Sequence, residues 1–194
     1  MNLYTVIKPL ACCIGRMCHN VSYEGLENIP KNKGCIICCN HFSNWDAIFL
    51  ANPIKRQIHF LAKKELYKFK LFGWILKKLG AIYVDRDSKN FNVIDIAVSH
   101  IRNNRFVGIF PEGKRSKTGE LLKPKAGAAM VALKTNSDIL PVGIKYEKPL
   151  KFRSKAKVTF GKIIHSNDFY KSEQTATQIR ELSKLIMEKI SDCL

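Results

Sequence analysis

Residues 35–46 read CIICCNHFSNWD, and the folding of this stretch decides the architecture around it. Cys35 to Cys39 form a short, β-compatible run ending in a polar segment, so a buried strand is expected there. Asn44-Trp-Asp-Ala-Ile-Phe-Leu-Ala then reads as the start of a helix that must end before Pro53. Three cysteines and a histidine within positions 35–41 first suggest a metal or redox site. Strand alternation argues otherwise. Side chains in extended chain point to opposite faces in turn, which sets Cys38 opposite both Cys35 and Cys39. No second C-x2-C supplies a ligand pair, and Cys39 stands where a haem-attachment histidine would stand. The thiols are expected as small core hydrophobes, and no metal is expected.

Working outward, the chain alternates between two rhythms. VSYE, IHFLAKK, AIYVDR, RFVGIF, ILPVGIKYE and KVTFG are strand-like, whereas NVIDIAVSHIRN, AGAAMVALKTN and QIRELSKLIMEKI carry helical patterns. This alternation predicts an α/β fold, with a mixed, mostly parallel central sheet flanked by helices. The spacing also predicts a helix over 65–80. Leu66, Phe69, Phe72, Leu76 and Leu79 would share one side, and Lys63, Lys70, Lys77 and Lys78 the other, with Tyr67 and Trp74 among the lysines. Such a helix either packs its apolar side inward or lies at a lipid interface.

With 194 residues, the chain suits one domain over 21–194, preceded by an apolar or interfacial segment over 1–20. That segment, interrupted by Lys8 and Arg16, is too short to span a bilayer and has no signal-peptide cleavage pattern. Seven irregularly spaced cysteines without a secretory signal point to a reducing, cytoplasmic setting.

The charge is unusual. Thirty-three Lys and Arg against 16 Asp and Glu give +17, which favours nucleic acid, anionic headgroups or phosphorylated and CoA-like molecules. A basic compositional bias alone would look the same. No helix-turn-helix, zinc finger or RNP-like pattern is present, so nucleic acid is not an expected partner. P-loop and G-x-S-x-G signatures are also missing, which disfavours nucleotide and serine hydrolases.

His41 leaves the expected strand, and Asp46 follows five positions on. Across a strand-to-helix turn, the carboxylate can reach one ring nitrogen and leave the other to accept a proton. By itself H-x4-D recurs by chance, and a His–Asp pair can equally be a surface or helix-cap contact.

The flanking residues add a family resemblance. Asn40-His41-x4-Asp46 resembles the first signature block of the 1-acylglycerol-3-phosphate acyltransferase family. In the same order, Gly80-Ala-Ile-Tyr-Val-Asp-Arg86 is similar to its G-x-I-x3-R block, and Phe110-Pro-Glu-Gly-Lys-Arg-Ser116 to F-P-E-G-T-R-S. Leu140-Pro-Val142 resembles the fourth block, and YEGLENIP, LAKKEL and KPKAGAA are smaller echoes; together they span residues 23–145. Lys114 departs from the usual threonine.

The resemblance implies transfer of a fatty acyl group from acyl-CoA or acyl carrier protein to a lysophospholipid hydroxyl, giving phosphatidic acid. His41 would be the general base and Asp46 its orienting partner. Arg86 and Arg115 would hold the acceptor phosphate, with Lys63 as a further cation. Glu112 would belong to the acceptor site, by bonding a glycerol hydroxyl, or would form a salt bridge with Arg115 or Arg86. Gly113 would allow close backbone approach. No cofactor is implied beyond the thioester co-substrate. The implied setting is the cytoplasmic face of an anionic membrane, with the protein peripheral or monotopic. Two alternatives remain open at this stage: a sister acyltransferase using glycerol 3-phosphate or another lysolipid or amino-lipid acceptor, and a non-catalytic basic module binding membrane or nucleic acid.

Overall fold

The run Cys35–Cys39 is a strand in which every residue is fully buried. A computed structural model describes residues 3–84, 92–147, 153–169 and 175–194. In chain order the elements are α1 (Tyr4–Cys18), β1 (Asn20–Glu24), β2 (Cys35–Cys39), α2 (Asp46–Ala51), β3 (Ile58–Lys63), α3 (Lys70–Lys78) and β4 (Ile82–Val84). They continue as α4 (Asn92–Arg102), β5 (Phe106–Ile109), α5 (Gly127–Thr135), β6 (Ile139–Tyr146), β7 (Lys155–Phe160) and α6 (Ala176–Ser191).

The seven strands lie in the order β1-β7-β6-β2-β5-β3-β4. All neighbours are parallel except β6 and β7. The sheet is thus mixed and mostly parallel, and helices cover both faces. On one face Ile36, Cys38, Val107, Ile109 and Ile139 pack against apolar residues of α4, α5 and α6. On the other, Cys35, Ile37 and Cys39 join Phe49 and Leu50 of α2. The thiols therefore alternate between two cores. Burial pushes the Cys35 thiol up to about 12 and raises Cys38 and Cys39 as well, so these sulfurs stay protonated and inert.

α2 is itself covered by α1, which buries Tyr4, Cys12 and Gly15. Gly15 lets the two helices approach closely, since an added Cβ would sit 3.3 Å from the Ile48 and Phe49 side chains. The opposite arc of α1 leaves Val6, Leu10, Ile14 and Met17 exposed.

The expected helix over 65–80 is broken. A 3-10 turn at Lys64–Lys68 ends at Phe69, whose extended backbone (φ −83°, ψ 103°) resets the helical phase before α3. Leu66 and Phe69 consequently turn outward, Phe69 being 73% exposed, rather than inward as the spacing predicts. Tyr67 instead folds back and donates its hydroxyl hydrogen bond to the Ala81 carbonyl. Gly73 fits against the Tyr67 backbone, where a Cβ would approach Tyr67 Cα to 3.0 Å. On α3 the outward arc mixes Lys70, Leu71, Trp74, Lys77 and Lys78.

A histidine pair ties α4 to the β3–β4 edge. The His59 and His100 rings lie 4.1 Å apart, and His59 Nδ1–H donates to the Gly80 carbonyl at 2.8 Å. Desolvation, then the His59 charge and Arg105, lower His100 to about 4, and desolvation also lowers His59. Because the unfolded chain binds these protons more readily, stability present above the unfolded histidine value is lost as pH falls towards 4. Thermal melts from pH 7 to 4 are therefore expected to show a smaller decline for His100→Gln than for the wild type. Parallel curves would count against the pair as a source of acid sensitivity.

Candidate active site

β2, β5 and β6 are parallel neighbours, so the residues following β2 and β5 leave the sheet at one edge. Crevices at the carboxyl ends of parallel strands are the usual ligand sites of such sheets. His41 emerges two residues past the end of β2, beside the segment starting at Phe110 past the end of β5. β6 continues beyond the last β2 pairing, Cys39 with Val142, and so flanks the same turn. The Asn40 side chain extends that ladder: its Nδ2–H donates to the Ile144 carbonyl at 2.9 Å, and its Oδ1 accepts from Ile144 N–H at 2.8 Å.

Asp46 is the first residue of α2 and is fully buried. Its Oδ2 accepts from His41 Nδ1–H at 2.8 Å and from the backbone N–H groups of Phe42 and Ser43 at 2.7 and 2.8 Å. Its Oδ1 accepts from the Tyr146 hydroxyl. A carboxylate with this many donors remains a hydrogen-bond acceptor, which places the proton of a neutral His41 on Nδ1. Nε2 then carries a lone pair. Among the described residues it has no hydrogen-bond partner, and the side chain is 22% exposed. The Phe110 ring stacks on the imidazole at 4.0 Å and 16°, fixing its plane.

The segment following β5 grips the His41 backbone on both sides. Glu112 Oε1 accepts from His41 N–H at 2.9 Å, and Ser116 N–H donates to the His41 carbonyl at 2.8 Å. Glu112 Oε2 accepts from Leu122 N–H at 3.0 Å. The carboxylate is 2% exposed and both oxygens accept from backbone N–H groups, so in this arrangement it braces the turn; Arg115 bonds Asn44 instead, and Arg86, the other expected partner, lies outside the described residues. Burial raises the Glu112 carboxyl above its usual range, and the two backbone donors oppose that shift.

Arg115 donates from Nη1 to Asn44 Oδ1 at 3.0 Å, which pins an exposed guanidinium to the turn between His41 and Asp46. Gly113 has φ +70°, a left-handed backbone that favours glycine. Lys63 ends β3 at the same edge, but its ammonium pairs with Glu65 at 2.9 Å. Arg86 lies outside the described residues; β4 ends at Val84, in register with Lys63. The described residues contain no group of three or more His, Cys, Asp or Glu side chains placed to hold a metal.

Sequence reasoning brought out His41, Asp46 and Arg115 but missed Tyr146 and the stacking role of Phe110. Phe110 heads a block already recognised, whereas an aromatic residue at a strand end carries no sequence signal.

A sequence model of the family described as Acyltransferase matches residues 20–145, and this chain belongs to the acyltransferase family. The 1-acyl-sn-glycerol-3-phosphate acyltransferase of Bacillus subtilis is 35% identical over 170 residues, 84% of this chain and 84% of that protein. The Streptococcus pneumoniae protein of the same name is 30% identical over 78% of this chain and 58% of its own length. Among solved structures, the 1-acyl-sn-glycerophosphate acyltransferase PlsC of Thermotoga maritima superimposes with a TM-score of 0.75, at 22% identity, over 97% of this chain and 80% of that one. That likeness concerns the fold.

Glu112→Gln removes one backbone acceptor and sets an amide donor against a backbone donor. It is expected to destabilise the protein by about 2 kcal/mol in urea titrations and to lower kcat. Unchanged stability with only a raised acceptor KM would return Glu112 to the acceptor site.

Proposed function

We propose that this protein transfers a fatty acyl group from an acyl thioester, acyl-CoA or acyl-acyl carrier protein, to the free hydroxyl of 1-acylglycerol 3-phosphate, giving phosphatidic acid. One observation carries the reading within the acyltransferase family: Asp46 holds His41 Nδ1–H at 2.8 Å while Nε2 has no protein partner among the described residues. The names of the Bacillus and Streptococcus relatives support the choice of acceptor.

The chemistry follows from what each group must do. Nε2 takes the proton of the acceptor hydroxyl as its oxygen adds to the thioester carbonyl. The resulting imidazolium is stabilised by the Asp46 carboxylate. Collapse of the tetrahedral intermediate breaks the C–S bond, and the expelled thiolate recovers the proton from His41. A thiol ionises near pKa ~8.5, so the leaving group needs little acid assistance, and the deprotonated alcohol is the demanding requirement. No thiol or hydroxyl among the described residues is hydrogen-bonded to Nε2, in keeping with direct attack rather than an acyl-enzyme. The transfer requires no cofactor beyond the thioester.

Arg115 is the phosphate cation of this reading, since its tether to Asn44 sets a guanidinium at a fixed offset from the base. Arg86 is proposed as its partner, with Lys63 contributing if it releases Glu65. The acceptor is an amphiphile, and the protein meets it as a peripheral protein at an anionic surface on the cytoplasmic side. No helix among the described residues is long and apolar enough to cross a bilayer. The mixed arc of Leu71 and Trp74 with Lys70, Lys77 and Lys78 suits a headgroup interface.

Purified protein supplied with acyl-CoA or acyl-acyl carrier protein and a panel of lysolipids is expected to form acylated lipid detectable by mass spectrometry. His41→Ala is expected to lower the rate by about 10²-fold or more. Arg115→Ala is expected to raise the KM of phosphorylated acceptors selectively. Absence of product from the wild type, or full activity without His41, defeats the proposal. Vesicle co-sedimentation at low salt is expected to rise with anionic lipid content and to fall when Lys70, Lys77 and Lys78 are all changed to Glu. Binding indifferent to both would remove α3 from the interface.

A further inference from the structure

The Asp46 carboxylate has one oxygen committed to His41 and the adjoining backbone, and the other committed to a single side chain from a distant part of the sequence. That side chain is Tyr146, one hundred residues further along, whose hydroxyl donates to Oδ1. We infer that Tyr146 is a positioning residue of the dyad: its hydroxyl fixes the rotation of the Asp46 carboxylate so that Oδ2 stays aimed at His41 Nδ1–H. The inference rests on the general-base reading above and identifies a member of the site outside the signature blocks.

Three features make the arrangement a built one. The first is placement. Tyr146 is the last residue of β6, four residues beyond the Cys39–Val142 pairing, and antiparallel pairing with Ala156 holds its backbone. Asn40 clamps both backbone groups of Ile144, and Tyr146 projects from the same face of the strand two residues later. Through Asn40, the residue preceding the base thus sets the register of the residue that holds the base's partner. The second feature is packing: the Tyr146 ring lies 5.6 Å from that of Phe42 and 6.2 Å from that of Phe49, which limits its movement. The third is protonation. Burial first, and then the Asp46 charge, hold the phenol well above its ordinary value, so it serves as a donor throughout the working pH range.

Rotation of the carboxylate matters because Oδ2 serves three donors at once. Without the hydroxyl, Oδ1 becomes a fully buried acceptor with no partner, and Asp46 can turn either oxygen towards the backbone groups. The imidazole then loses its fixed aim at the acceptor hydroxyl. Substrate-binding groups such as Arg115 are untouched, so the defect belongs to kcat.

Tyr146→Phe keeps the ring and removes only the hydroxyl. It is expected to lower kcat by about tenfold or more, with both KM values within twofold of wild type. In an Asp46→Asn background the same change is expected to cost no further activity, because the hydroxyl acts through the carboxylate. Proton NMR supplies a readout that does not depend on turnover. The downfield Nδ1–H signal, assigned to His41 by its loss in His41→Ala, is expected to broaden or shift in Tyr146→Phe. A kcat within twofold of wild type with an unmoved signal overturns the inference, as does an undiminished loss in the Asp46→Asn background. These outcomes are separable from failure of the functional reading. An inactive wild type defeats the reading itself, whereas an active wild type crippled by Asp46→Asn but indifferent to Tyr146→Phe defeats only the role of Tyr146.

Discussion

The site depends on one buried charge. A carboxylate taken wholly out of water is unfavourable unless donors replace its hydration, and Asp46 has none of its surface exposed. The fold supplies four replacements: His41, the backbone of Phe42 and Ser43, and Tyr146. Two of these are backbone groups of the turn itself, so the turn can close only in the shape that brings Oδ2 to Nδ1. The requirement to satisfy Asp46 therefore determines the path of residues 41–46, and that path orients the imidazole. The aim of the His41 ring and the solvation of a buried charge are one constraint here.

A second buried carboxylate joins the turn to its neighbour. Glu112 receives His41 N–H on one oxygen and Leu122 N–H on the other, while Ser116 N–H reaches the His41 carbonyl. The basic segment carrying Lys114 and Arg115 is thereby tied to His41 through main-chain groups, which tolerate little movement. A cation on a freely mobile loop would recognise phosphate at many positions. One fastened at both ends and bonded to Asn44 is held within a narrow range of distances from His41, which is what the proposed phosphate role of Arg115 requires. Both buried carboxylates of the site thus act by organising backbone.

Much of this was legible in the sequence where the signal was local. CIICC announced a strand buried on both faces, and alternation sorted its thiols into two cores. The spacing of His41 and Asp46 indicated a turn-borne dyad because a carboxylate five residues on can reach back only across a turn. Three features lay beyond such reading. Glu112 reads as a ligand because charge near a site suggests substrate, and no sequence pattern displays the two backbone groups that its oxygens hold. The break at Phe69 escaped because an apolar residue at helical spacing gives no hint of an extended φ and ψ. Tyr146 escaped because its contact with Asp46 depends on how far β6 runs past β2, a property of sheet register and not of either segment.

That register explains why the dyad sits where it does. In the strand order, β2 has β6 on one side and β5 on the other, all three parallel. The turn leaving β2 is therefore walled on both sides by chain leaving the same edge. The segment following β5 contributes Phe110 against the imidazole face and Glu112 to the His41 backbone, and β6 contributes Tyr146 against the carboxylate. An edge strand could offer only one such wall. Delivering His41 from a central strand lets a short turn be held from two directions, so precision comes from the sheet and the helix starting at Asp46 can remain only six residues long.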